Sequence, residues 1–498
     1  MSARRWLVAG LLLLLVACSK DKDIDQPARL VPFSATLRVQ KVWSAKVKDR
    51  GAQSLRLGLG IAVDGDRVFA AGHRGEVAAF DLHNGRLLWS KRAKEGYSGG
   101  PAIGAGLVVV GSSEGDLVAL SETDGAQRWK TRLNGEVLAA PALSDRLIAV
   151  RTADGKLHGL SPKDGRELWT QEEQVPRLSL RGTAKPVLSG EFVLCGFDNG
   201  KVAAVNMGDG SIQWSTTIAP PHGKTELERL DDVDAAVRVS GSDVYAVGFQ
   251  GRVAMLALET GQIWWSHEAS SYRGLGLDEG ALYLSTADGE IVALRRRTGT
   301  EVWRQKALLH RRLSAAVETD TSIVTTDFQG FVHWLDKATG AVQARARPSK
   351  VRVSNPPVAV GNMVLVMDDK GRLTAFRVTP IPGAYKPPPP LPAESTGTAA
   401  PEPGKSTEAA PAPSTEPNGT AAPQPSAMPP EPNGTAPQPD GGATKPGGTT
   451  SPESSTPPAN SAPPPRVPPG TPPPPLPSQP TPDPTPPEPQ TQPQPPPT

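Results

Sequence analysis

The chain has 498 residues, 53 of them basic and 51 acidic, with 5% aromatic residues and 55 prolines. Twelve prolines precede residue 380 and 43 crowd the last 119 residues, a segment too poor in apolar side chains to offset the entropy of ordering a core. The near balance of charge excludes a nucleic-acid footprint, and two cysteines exclude a disulfide framework or a multi-cysteine metal site.

Residues 1–17 read as an export signal. Arg4 and Arg5 precede an apolar run from Trp6 to Val16 that is short for a bilayer span. Leu15-Val16-Ala17-Cys18 resembles the bacterial lipobox, whose cysteine becomes the lipidated first residue of the mature chain. An ordinary signal peptide cut at a small residue is the alternative. Residues 18–36 then form a charged tether, and Ser19 after the cysteine resembles lipoproteins sorted to the outer membrane. Lipidation would consume Cys18, leaving Cys195 in the apolar run Phe192-Val193-Leu194-Cys195 as a core residue.

Residues 37–379 carry an eightfold repeat. A leading Gly recurs at 75, 115, 155, 200, 251, 289, 330 and 371, followed by short alternating stretches such as Val77-Ala78-Ala79-Phe80. Ten residues after the first seven stands a second Gly, preceded by Asn, Asp or Thr, a pair that supplies the positive φ of a tight hairpin. Four residues later comes a tryptophan: Trp89, Trp129, Trp169, Trp214, Trp265 and Trp303. The seventh such site is Ala344, and Trp43 precedes the first unit. These seven tryptophans are the expected structural residues of the repeat, each a large apolar surface suited to docking on a neighbouring unit. Two further strands fit between each Trp and the next leading Gly. Four strands per ~40 residues describe a propeller blade. The sequence therefore predicts an all-β, eight-bladed β-propeller with a disordered Pro-rich tail over 380–498.

Chemistry-bearing motifs are sparse. The repeat resembles the tryptophan-docking repeat of quinoprotein propellers, some of which are dehydrogenases using pyrroloquinoline quinone and calcium. The vicinal cysteine pair those enzymes share is missing here. The seven histidines show no ligand spacing, and no GxSxG, HExxH or phosphate-cradling loop occurs. No enzyme, cofactor or metal is expected.

Two consecutive intervals between leading glycines are long, 155 to 200 and 200 to 251. The additions follow the Trp strand of adjacent blades, so both should project from one face. The first contains Leu178, Leu180 and Arg181, the second Asp232-Val233-Asp234. A protein-docking surface and a pair of strand-plus-solvated-turn segments both fit this spacing.

Ser179-Leu180-Arg181-Gly182, Thr225-Glu226 through Asp234, Leu308-Leu309-His310-Arg311 and Gly330-Phe331-Val332-His333-Trp334 closely resemble the outer-membrane β-barrel assembly factor B (BamB) family, from about residue 30 to 378. That resemblance implies a non-catalytic periplasmic lipoprotein of the β-barrel assembly (BAM) complex, held at the outer membrane. It implies binding to the POTRA domains of the barrel-forming subunit BamA, with unfolded barrel proteins as clients. It also implies that Leu178, Leu180, Arg181, Asp232 and Asp234 contact the partner. The leucines would fill apolar recesses, Arg181 would make a forked ion pair, and the aspartates would select positive charge.

The tail departs from the family, repeating Glu416-Pro417-Asn418-Gly419-Thr420-Ala421 at 431–436. Its composition suits an extended polyproline spacer or cell-wall ligand, or a neutral solvated extension. A periplasmic adaptor acting through this tail is a second functional reading, and a quinone-dependent dehydrogenase a third.

Overall fold

The computed structural model describes residues 25–47, 59–176, 178, 184–221, 224–225 and 232–384. Cys18, Leu180, Arg181 and all of 385–498 lie outside the described residues. Every regular element among the described residues is a strand, and the strands form eight four-stranded antiparallel sheets. Seven blades follow the chain: 61–92, 99–132, 142–172, 187–217, 238–269, 275–305 and 317–346. Within each blade we label the strands A to D in chain order. Neighbouring A strands touch one another, as Val317–Glu318 touches Leu275–Leu277, which places A innermost and D outermost.

The eighth blade closes the ring with both ends of the propeller. Val358–Val360, Met363–Met367 and Arg372–Pro380 supply strands A to C, and Leu37–Lys46 supplies D. The register runs from Leu37 opposite Pro380 to Lys46 opposite Arg372. Trp43 is therefore the D-strand tryptophan of the last blade.

The repeat builds the core in a simple way. Strands B and C are buried on both faces, as in Leu107–Gly111 and Asp116–Ser121, so they read as near-continuous apolar runs. Strand D buries little besides its Trp; Gln127–Arg132 is an example. Each of the seven D-strand tryptophans leans on the next blade, where its Nε1 donates to a carbonyl in the C–D turn. Trp43 reaches Leu82 O (2.7 Å), Trp89 Glu122 O (3.0 Å), Trp129 Pro162 O (2.9 Å) and Trp169 Met207 O (2.9 Å). Trp214 reaches Leu258 O (2.7 Å), Trp265 Arg296 O (3.1 Å) and Trp303 Lys337 O (2.8 Å). The first five of these indoles, Trp43, Trp89, Trp129, Trp169 and Trp214, are buried, whereas Trp265 and Trp303 are half-buried. The last two keep the hydrogen bond and seal their seams less fully. The second Gly of the repeat has positive φ in that turn, and a Cβ there would strike the indole, as at Gly85 against Trp43.

Ala344 departs from this pattern for a structural reason. The blade that follows it has no C–D hairpin, because its D strand comes from the other end of the chain. The space is filled from within: Trp334, opposite Ala344 in register, is fully buried and packs edge-on to Phe376 with centroids 5.8 Å apart.

Residues 25–36 run along the propeller ahead of strand Leu37–Lys46. Ala28 N donates to Leu309 O, and Arg345 stacks on Phe33 while donating to Val31 O. Cys195 is fully buried, and burial pushes its thiol up to about 12, so it is an inert core residue.

Candidate partner-docking face

One face of the ring carries the B–C turns together with the D–A connections between blades. After strand D, a backbone N–H returns to the carbonyl of the leading Gly of its own blade: Ala93 to Gly75, Leu133 to Gly115, Glu173 to Gly155 and Ile218 to Gly200, at 2.8–3.0 Å. Both long additions therefore start from this face. They join blade three to four and blade four to five, so they flank blade four.

A backbone staple then fastens several of these connections between two turns. Val137 N donates to Ser112 O and Glu136 O accepts from Ala153 N. In the second addition Val233 N donates to Phe197 O (3.2 Å) and Asp232 O accepts from Phe249 N (2.8 Å). Asp232 and Val233 thus occupy the staple position, and both are fully buried.

That placement draws Asp232 into the interior. Asp232 is 0% exposed, whereas Asp234 is half-buried, with its Oδ1 sealed from solvent and without a hydrogen-bond partner. Packing under the turns of blades four and five draws them inward, a constraint that spacing along the chain does not express. Burial foremost, then the charges of Asp232 and Asp198, pushes the Asp234 carboxyl well above its usual range, with Arg151 opposing.

Arg151 and Asp198 complete the cluster. Arg151 ends strand Ile148–Arg151, is 1% exposed, stacks 4.8 Å from the Phe197 ring and reaches Asp198 Oδ1 at 3.3 Å. Burial raises the Asp198 carboxyl and Arg151 restrains the rise. Among the described residues Arg151, Asp198 and Asp234 share this cluster, with Asp232 beside them. Sequence reasoning missed Arg151 and Asp198, although one signal was there: the position four before each leading Gly is Ala, Gly, Gly, Val, Ser, Thr or Met in the other blades and Arg only at 151.

Around this cluster Leu178 is 42% exposed and Val175 is 36% exposed, an apolar edge on the first addition. Leu180 and Arg181 fall outside the described residues. The structure brings Asp232 and Asp234 together and places Leu178 on the adjoining connection. It sets Trp43, Trp89, Trp129, Trp169, Trp214, Trp265 and Trp303 in the inter-blade seams, away from this face's cluster, as the repeat predicts. Among the described residues no grouping of three or more His, Cys, Asp or Glu side chains suits a metal ion.

The fold and this face define a tryptophan-docked eight-bladed propeller with one elaborated face. The family model for outer membrane protein assembly factor BamB matches residues 35–96, 73–305 and 287–379. A protein of that name from Pseudomonas aeruginosa is 45% identical over 378 residues, covering 75% of this chain and 99% of the relative. The crystal structure of BamB from Moraxella catarrhalis superposes with a TM-score of 0.63 at 28% identity, over 68% of this chain and all of that one. Quinohemoprotein alcohol dehydrogenase from Comamonas testosteroni, at 12% identity and TM-score 0.55 over 68% of this chain and 76% of its own, shares the fold alone. The chain belongs to the outer membrane protein assembly factor BamB family.

Proposed function

We propose that the chain is a non-catalytic lipoprotein subunit of the BAM complex. It aids folding and insertion of β-barrel proteins by binding the POTRA domains of the BamA-type subunit. The leader at 1–17 is removed, Cys18 is lipidated at the periplasmic face of the outer membrane, 18–36 serve as tether, and 380–498 as a Pro-rich spacer. Unfolded outer-membrane proteins are the clients of the assembled machine.

Family membership supports the reading, and one observation carries the docking site: two consecutive extended connections start from one face, the first with an exposed apolar edge at Val175 and Leu178. Leu178, with Leu180, fills apolar recesses on the partner, and Arg181 makes a forked ion pair. Asp232 and Asp234 adjoin this edge and select for a cationic partner surface.

The test is recovery of partners from native membranes. Tagged full-length protein is solubilised in mild detergent beside Leu178→Asp and Leu180→Asp/Arg181→Glu variants. A matched control is Leu168→Asp, whose side chain is equally exposed (42%) on an outermost strand. Recovery of the BamA-type subunit with wild type and the control, and its loss with the other two, is expected. Recovery with all four would move the site, and absence of any barrel-assembly subunit would overturn the reading.

A further inference from the structure

The same face has a second half, on blades six to eight, with a different character. The segment ahead of strand Leu37–Lys46 ends there. Ala28 N donates to Leu309 O, Arg311 Nη1 donates to Ala28 O, and Asp25 Oδ2 stands 4.0 Å from His310 Nδ1. Seven residue steps separate Cys18 from Asp25, and a fully extended chain of that length spans at most about 25 Å. If Cys18 carries the lipid, this sector of the ring is within that distance of the bilayer.

Contacts make the sector continuous. Phe328 N donates to Arg311 O, linking the connection between blades six and seven to the B–C turn of blade seven. Arg347 Nε donates to Gln329 O at 3.0 Å in that turn and stacks 4.5 Å from Phe331. Ser349 Oγ donates to Asp368 Oδ2, and Asp369 N to Arg352 O, carrying the surface to blade eight.

Five side chains exposed along this path are cationic: Arg29, Arg312, Arg347, Lys350 and Lys370, and none of them forms an ion pair among the described residues. The exposed acids nearby are Asp25, Asp288 and Asp369, the last accepting hydrogen bonds from Ser354 N and Oγ. Val31, 57% exposed, adds an apolar tip beside the tether. Charge on this face is thus divided, with buried carboxyls under the additions at blades three to five and uncompensated surface cations where the tether leaves.

We propose that the sector formed by Arg29, Arg312, Arg347, Lys350 and Lys370 is a membrane-contact surface that rests on anionic phospholipid headgroups. The proposal rests on the lipidation of Cys18 for its geometry and on surface charge for its chemistry. Lysines and arginines held near an anionic leaflet each strengthen partition about fivefold, and the gain fades within a Debye length. One face then serves two neighbours at once, the partner protein on one side and the bilayer on the other.

Vesicle sedimentation of the mature chain carrying Cys18→Ser isolates the surface from the anchor. Phosphatidylethanolamine vesicles with about a third phosphatidylglycerol should retain the protein at low salt and release it as salt rises, while phosphatidylcholine vesicles should not hold it. Lys350→Glu/Lys370→Glu should weaken binding by roughly 600-fold, each reversal losing one attraction and adding one repulsion. Arg86→Glu, in an exposed C–D turn on the opposite face, should bind as wild type. Equal binding by the double variant, or no preference for the anionic vesicles, overturns the proposal. Mass spectrometry of Cys18 in the native membrane fraction tests the anchor separately. An unmodified cysteine would remove the tether argument whatever the vesicles show.

Discussion

The indole of Trp169 lies over Gly210 so closely that a Cβ there would stand 2.7 Å from the ring, while Trp169 Nε1 donates to Met207 O at 2.9 Å. One glycine thus meets two demands, a φ of +77° and a seat for the neighbouring blade's tryptophan. Gly190, in an A–B turn at φ +57°, meets only the first, since nothing lies within 4 Å of where its Cβ would be. Gly210→Ala is expected to cost about 2–4 kcal/mol, and Gly190→Ala about 1–2 kcal/mol. Urea unfolding of both variants checks the difference, and equal losses would show that the indole contact adds nothing.

Ala344→Trp looks like a repair of the repeat and should instead destabilise. No hairpin turn waits on the next blade to accept the indole, and Trp334 already fills the space. Overpacking of this kind costs about 1–3 kcal/mol. A rise in melting temperature would contradict this account of the missing tryptophan.

Asp234→Asn separates stability from binding. Because the folded protein holds the Asp234 carboxyl well above its usual range, folding favours the protonated form. The wild type is relieved of the cost below the unfolded value of 3.8 and bears it as pH rises. The asparagine variant should therefore melt higher at neutral pH, with the gap closing in acid, while recovering less of the partner. Scanning calorimetry from acid to neutral pH, with the recovery assay, reads both effects.

Two buried histidines set an acid limit of a different kind. Burial lowers the affinity of His158 and His333 for protons, although Glu167 and Asp327 respectively oppose the shift. Each is held at 3.1 Å by a neighbour, Thr152 Oγ1 for His158 and Asp327 Oδ2 for His333. Their folded values lie below the unfolded 6.5, so the stability they confer is present above that pH and drains away below it. His158→Gln should flatten the stability profile between neutral pH and mild acid. An unchanged slope would show that His158 titrates alike in both states.

The spacing of Gly and Trp made the blades legible because each residue type answers to a local need, a positive φ or a large apolar face four residues on. Trp89, Trp129, Trp214 and Trp265 each sit on the strand that spacing assigned them, at the seam with the blade that follows in the chain. What spacing could not show is which blade a strand joins. Trp43 stands first in the chain and belongs to the last sheet, since its partner strand, Arg372–Pro380, is more than 300 residues away. The exception at Ala344 is the counterpart of that closure, visible in the sequence and uninterpretable without it. At the candidate site Leu178 is an exposed apolar residue. Asp232 is buried and Asp234 half-buried, beside Arg151 at the end of a strand of blade three and Asp198 in a turn of blade four, neighbours that spacing could not show.

The pairing of Leu37–Lys46 with Arg372–Pro380 also orders events in time. The strand made first has its hydrogen-bonding neighbour made last, and the chain between them must be gathered before either gains from the other. Closing a loop of that size costs about 5 kcal/mol in chain entropy, repaid only when the final sheet zips. Until then the nascent ring has two unpaired strand margins, the feature most prone to joining another chain. A late-closing seam of this kind makes the finished protein slow to reopen and the unfinished one dependent on protection while it folds.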